Sequence, residues 1–386
     1  MKKSAPPYES WLEMSERNPG LLTGNKLKLG LFGANCSGGL AFTKLPERWD
    51  ANWDNNERLA ILADKIGFEC LVPIARWRGF GGEANVNSQS WETITWAAGL
   101  LAKTNRISVF GTIHAPMVHP VFAAKQMVTA DHIGNGRFGL NIVCGWNKSE
   151  FDMFGVEAHE HELRYQYGED WYNVVKSIWA MKEPCDYKSP FFDLKMLTGE
   201  PAPFEGAAPV TMSAGASETG RAFAIRNVDL HFDNCRTLDE SRARIAETKA
   251  LAKAAGRSVY VWLPSSVICR ETRKAAEQYA MHCVDNADWE ALDEQTRLYT
   301  GTFGSRSRSA AETEYIRNRQ QVRAVLGYGG SYSICGDPDG VAEQLAKLAD
   351  AGFDGVAISF VNYLEELPLF VQEVLPRLAR KGLRAR

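Results

Sequence analysis

A lone amide inside an apolar run is the first residue of this sequence that asks for a chemical explanation. Asn141 interrupts the strand-like stretch Gly136-Arg137-Phe138-Gly139-Leu140-Asn141-Ile142-Val143-Cys144-Gly145-Trp146. A buried amide without partners costs on the order of 1 to 3 kcal/mol, so its partner is either a ligand or a neighbouring strand. A second segment, Ser213-Ala214-Gly215-Ala216-Ser217-Glu218-Thr219-Gly220-Arg221, runs from an apolar strand into a helix start through small residues and hydroxyls. Free N–H groups and the helix dipole suit a phosphate there, with Arg221 adding charge. The plainer reading of Ser217 is a helix N-cap.

The histidines offer less. His159-Glu160-His161 sets two imidazoles two residues apart; such residues do not share a helix face, no third ligand is evident, and no metal centre is expected. His114 and His119 flank a strand exit, where each either serves a pocket as a proton donor or caps a loop. The run Trp77-Arg78-Gly79-Phe80-Gly81-Gly82 reads as a flexible loop that either covers a planar ligand or simply turns the chain. No nucleophile with an adjacent base stands out.

A chain of 386 residues, 45% hydrophobic and 24% charged, can bury a large core. With 44 basic and 47 acidic residues, a net charge of -3 and no basic stripe, neither nucleic acid nor an anionic membrane is an expected partner. A small molecule is. The eight cysteines are scattered without a Cys-x-x-Cys pair, which argues against a zinc site or a disulfide framework and for a reducing, cytoplasmic setting. The N-terminus lacks an apolar signal region, and no run reaches the roughly 18 apolar residues of a membrane span.

These residues need elements to hold them. Residues 1–25 are polar, with scattered Pro and Gly, and read as an arm on the surface or on a partner subunit. From residue 26 onward, strand-like and helix-like segments alternate. Lys26–Phe32 precedes a segment with Leu59, Leu62, Ala63 and Ile66 at helical spacing. Cys70–Ile74, Ile107–Thr112 and Phe138–Val143 follow, each with its helix, and four weaker units start at Val210, Leu230, Val259 and Gly355. Such repeats of about 40 residues predict a parallel (β/α)8 TIM barrel, a single domain over 26–386. An open doubly wound sheet is the alternative, but the turn 33–39 lacks the Gly-x-Gly-x-x-Gly spacing. A polar stretch, about 285–335, reads as an insertion before the last βα unit and is either a lid or a surface loop.

In a barrel the site lies at the C-terminal strand ends, which are Arg76 and Arg78, Thr112 to His114, Asn141 to Trp146, Ser213 to Ser217, and Val361-Asn362. With these residues in view, the chain resembles the bacterial luciferase-like superfamily, and within it the two-component flavin monooxygenases. Arg78-Gly79-Phe80-Gly81-Gly82 is similar to the pyrimidine monooxygenases, and Ser37-Gly38-Gly39-Leu40 to the dimethylsulfone monooxygenases. Asn135-Gly136-Arg137, Gly145-Trp146, Glu150-Phe151, Glu162-Leu163-Arg164-Tyr165 and Gly336-Asp337-Pro338 extend the likeness, which includes the alkanesulfonate monooxygenases.

The resemblance implies an enzyme that uses reduced FMN and O2, with the flavin supplied by a separate NAD(P)H flavin reductase. It implies FMN contacts at Ala75, Arg76, Asn141, Glu150, Arg164, Tyr165 and Ser217. Thr112, Asn141 and Trp146 fall at the oxygen side of the flavin, with Val72, Arg78, Phe80, His114 and Cys144 toward the substrate or its lid. The oxygenated flavin, formed at C4a or N5, needs shielding from water, for which loops 78–90 and 301–325 are candidates. Arg76 stands where the pyrimidine enzymes have Lys, and Cys144 where they have Thr and the sulfone enzymes Ser. The substrate classes left open are an N-heterocycle such as a pyrimidine- or flavin-like ring, an organosulfur compound, and riboflavin itself as in a riboflavin-cleaving lyase. Hydride transfer with a deazaflavin is a further alternative. A homo-oligomer, dimer or tetramer, is expected, with Trp11, Leu12 and Met14 of the arm placed to pack on a neighbour.

Overall fold

The computed structural model describes residues 21, 23–157, 160–215, 217–234, 237–302 and 332–385. Trp11, Leu12 and Met14 of the expected arm, His159, Ala216 and residues 303–331 of the expected insertion lie outside that set.

Continuous burial of short apolar runs decides the sheet. Strands β1 (Lys28–Phe32), β2 (Cys70–Val72), β3 (Ser108–His114) and β4 (Phe138–Val143) are followed by β5 (Cys185–Lys188), β6 (Asp193–Leu197), β7 (Val210–Ser213) and β8 (Leu230–Phe232). The chain then forms β9 (Tyr260–Cys269), β10 (Tyr332–Gly336) and β11 (Gly355–Ser359). The order β1-β2-β3-β4-β7-β8-β9-β11 closes on itself through parallel pairs, with β11 back on β1. This is the expected eight-stranded barrel. β10 adds to the far end of β9, Tyr332 beside Ser265 and Gly336 beside Cys269.

Closure requires large and small residues to face one another inside. A Cβ at Gly139 would come 2.5 Å from the Phe110 ring, and one at Gly30 would come 3.3 Å from Trp262. Gly355 also lies under Trp262, so the barrel interior is filled with side chains rather than open. Helices α1 (Trp53–Lys65), α2 (Thr93–Leu101), α3 (Pro120–Ile133), α4 (Lys148–Phe154), α5 (His161–Ala180), α6 (Glu218–Asn227) and α7 (Leu238–Ala254) connect the strands. α8 (Arg273–Asp285), α9 (Trp289–Thr302), α10 (Pro338–Asp350), α11 (Tyr363–Leu369) and α12 (Leu375–Arg380) follow among the described residues. Asn52, Glu92, His119, Ser217, Thr237, Asp337 and Asn362 each cap a helix with a side-chain oxygen or ring nitrogen. His119 is thus a cap.

Three features differ from the sequence reading. The second strand ends at Val72 rather than Ile74, because Asn35 takes the Ile74 backbone, donating to its carbonyl at 2.8 Å and accepting from its N–H at 2.9 Å. The antiparallel hairpin β5–β6 had no periodicity to reveal it, since most of its residues are exposed. Loop 78–90 is not a loose segment: Asn87 binds the Ser37 and Gly39 carbonyls and Ser90 the Arg76 carbonyl, so backbone hydrogen-bonding groups are satisfied along it.

The barrel floor is tied by one carboxylate. Glu69 accepts from Leu29 N–H and from Arg384, both at 2.7 Å, and from Thr23 and Asn25, both at 2.6 Å. The Glu69 and Arg384 side chains are buried.

Candidate active site

Thr112 and Asn141 sit side by side because β3 and β4 are in register there, and Asn141 in turn pairs with Met212 of β7. The Thr112 hydroxyl donates to the Pro73 carbonyl at 2.7 Å and accepts from Asn141 Nδ2 at 3.1 Å. This chain fixes the amide orientation: Nδ2 faces Thr112 and Oδ1 faces away. Asn141 Oδ1 is buried with no hydrogen-bond partner among the described residues, an arrangement that carries a desolvation cost unless a ligand completes it. The Thr112 proton is engaged with Pro73.

Next to it, α4 brings Glu150 under the segment after β2. The Glu150 carboxylate is fully buried and accepts from Trp77 N–H at 2.9 Å. Its Oε1 lies 3.5 Å from Arg76 Nη1, and its Oε2 lies 3.9 Å from His114 Nδ1. Burial, with the Arg76 charge beside it, pushes His114 down to about 3, so the imidazole is neutral. Arg76 lies over two rings, Phe80 at 4.6 Å and Trp146 at 5.0 Å. Cys36 is close enough to feel both charges, but burial dominates and pushes its thiol up to about 12.

The third part stands at the neighbouring strand end, where β7 passes into α6. Gly215 and Gly220 approach so closely that a Cβ on either would lie 2.6 Å from the other's Cα. The Tyr165 hydroxyl lies 2.9 and 2.6 Å from those same positions, so this close approach of two backbones admits only glycine. Ser217 caps α6 by accepting from Gly220 N–H at 3.1 Å. Arg164 is buried; it donates to the Gly145 carbonyl at 2.8 Å, while its Nε has no hydrogen-bond partner among the described residues. Arg221 is a correction to the phosphate reading. Its guanidinium is spent on Glu247 at 2.6 Å and Glu218 at 2.7 Å, a pairing that chain separation hid from the sequence. His231, which sequence reasoning missed, is buried beside this contact with Nε2 3.1 Å from the Gly215 carbonyl.

The remaining expected residues divide. Val72 is buried inside the barrel, Phe80 is buried against Arg76, and Ala75 and Trp146 are partly exposed beside them. Arg78 is exposed, its N–H 3.4 Å from Glu150. The Cys144 thiol is packed against Gly168 of α5 rather than within the Arg76 cluster. Asn35 and Pro73 are the second omission; Asn35 is a buried amide in a small-residue turn and carries the same signal as Asn141.

The chain matches a known family. Residues 31–355 fit the model of the luciferase-like monooxygenases. The chain belongs to that family. Among its members, a dimethylsulfone monooxygenase of Pseudomonas fluorescens (strain Pf0-1) described as FMNH2-dependent is 29% identical over 91% of this chain and 94% of its own. A pyrimidine monooxygenase of Variovorax paradoxus (strain S110) is 27% identical over 91% of this chain and 94% of its own. A riboflavin lyase crystallised with modified FMN and riboflavin superposes with a TM-score of 0.82 at 21% identity, covering 93% of both chains; that likeness shows the luciferase-like fold.

Proposed function

We propose that this luciferase-like monooxygenase uses FMNH2 and O2 to oxidise a small organic molecule, with the reduced flavin delivered by a separate NAD(P)H flavin reductase. The observation that carries the reading is a pair of unmet demands of buried polar side chains. The unpartnered Arg164 Nε fits an anion, and the unpartnered Asn141 Oδ1 fits an N–H edge. A flavin phosphate and a flavin ring are complementary to both. Gly215, Ser217, Gly220, Tyr165 and Arg164 would hold the phosphate end. Ala75, Arg76 and Asn141 would hold the ring end, with Glu150 fixing Arg76 from below.

Reduced FMN, when bound, supplies the electrons that O2 needs. Everything else falls to this chain. The Thr112 hydroxyl donates its hydrogen bond to the Pro73 carbonyl and thereby turns Asn141 Nδ2 toward itself and Oδ1 away, while the second Asn141 N–H remains for a neighbouring acceptor. Val72, Phe80 and Trp146 give the mouth apolar walls that exclude water. Two aromatic faces beside a guanidinium suit a flat heterocyclic ring, such as a pyrimidine- or flavin-like ring, whereas the 29% identical relative points to an organosulfur substrate. The enzyme is cytoplasmic and a homo-oligomer, dimer or tetramer, in this reading; among the described residues no helix is long and apolar enough to cross a membrane.

Stopped-flow mixing of protein-bound FMNH2 with O2, followed by a product screen with an added reductase, tests the proposal. Faster oxygen consumption with a pyrimidine or riboflavin and an oxygenated product are expected. Dimethylsulfone in the same screen decides the substrate class. Oxygen consumption no different from that of free FMNH2, without product from any of these, would refute it.

A further inference from the structure

Asp288 joins the start of α9 to the loop that follows Arg76. One of its carboxylate oxygens, Oδ1, accepts from Ala291 N–H at 3.2 Å and caps α9. The other, Oδ2, accepts from Ala84 N–H at 2.6 Å, at the tip of the loop that follows Arg76. Its own N–H donates to the Phe42 carbonyl at 2.9 Å. The side chain is buried, and Gly82, at φ +70°, leaves it room: a Cβ there would strike the carboxylate. What this grip holds is an apolar group of Phe42, Phe80, Val86 and Leu292, with Trp146 packed against it. Phe80 and Trp146 are the two rings against the Arg76 guanidinium.

We propose that Asp288 is a positioning residue for Arg76: it fastens the 80–86 loop tip to α9 and so keeps Phe80 on the guanidinium. The loop is also tied at its return by Asn87 and Ser90, and the 80–86 turn is closed on itself by Phe80 N–H to the Val86 carbonyl at 3.1 Å and Gly81 N–H to Asn85 at 3.0 Å. Besides the exposed Lys44–Glu83 ion pair, the Ala84 bond fastens this turn as a unit to α9; without it the turn, Phe80 included, can shift off the guanidinium, and Arg76 gains rotamers. The proposal rests on the flavin reading for its effect on activity, though not for the geometry of the loop.

Asp288→Asn separates the two grips. Asn is as good a helix cap as Asp but has a single acceptor oxygen, so only one of the Ala84 and Ala291 N–H groups keeps its bond, and exchange of the Ala291 amide reports which. Asp288→Ala removes both and serves as the reference for general damage. Three measurements are read together. Hydrogen exchange of the 80–86 amides should rise at least tenfold in Asp288→Asn, with exchange in α9 unchanged. FMN affinity, followed by fluorescence quenching, should fall about as far in Asp288→Asn as in Arg76→Lys. The double variant Asp288→Asn/Arg76→Lys should be no worse than Arg76→Lys alone, since one residue acts through the other.

Additive losses in the double variant, or unchanged exchange at 80–86, would overturn the assignment. If the parent protein binds no FMN, the flavin reading fails on its own, and hydrogen exchange still decides whether Asp288 holds the loop.

Discussion

The Asn141 amide makes a sharp prediction because only half of it is bonded. Asn141→Ala removes a single hydrogen bond to Thr112, so stability should change by about 1 kcal/mol or less. Flavin binding or turnover should fall by about tenfold or more, since one hydrogen bond of about 1–3 kcal/mol is lost from the ligand's side. Equilibrium unfolding and substrate-dependent oxygen uptake, measured on the same preparation, give the two numbers; a parental rate would remove Asn141 from the site. His114 makes a pH prediction. Its folded-state value near 3 lies below its ordinary 6.5, so the unfolded chain takes up the proton first, and stability is lost as pH falls from 6.5 toward 3. In His114→Gln the acid limb of the melting temperature should flatten over that window. Asn141 was legible in the sequence because an amide in an apolar strand breaks a pattern. His231 and the neutral state of His114 were not, because each depends on a neighbour brought close only by the closed barrel.

At the level of elements, the alternation of short apolar runs with helical spacing was enough to place all eight barrel strands. The β5–β6 hairpin escaped because it buries almost nothing, and Arg221 was misread because Glu247 approaches it from α7. The connection after that hairpin makes its own prediction. Phe204 N–H donates to Asp131 of α3 at 2.9 Å, and burial pushes this carboxyl up to about 7 in spite of that bond. The folded state therefore prefers the protonated acid: its contribution is full below the unfolded value of 3.8 and is lost as pH rises through about 7. Asp131→Asn keeps an acceptor for Phe204 but does not ionise. Relative to the parent, this variant should gain stability as pH rises from about 4 to about 7, read by thermal unfolding across that range. A constant difference between the two would show that Asp131 does not titrate there.

For the whole molecule, the floor is the point at which the two ends of the barrel domain meet. Arg384→Ala would leave Glu69 buried without its cation, a change that costs about 3–5 kcal/mol. Because Arg384 lies at the opposite end of the barrel from the mouth, the folded fraction should keep its FMN affinity while the denaturation midpoint drops. Equal losses in both would mean that the floor and the mouth are coupled. The filled interior has one more consequence. With Trp262 seated over Gly30 and Gly355, and Phe110 over Gly139, the barrel axis is blocked among the described residues. A flavin and a substrate that both enter at the strand ends would then share a doorway, and excess substrate should slow FMN exchange by standing in the way.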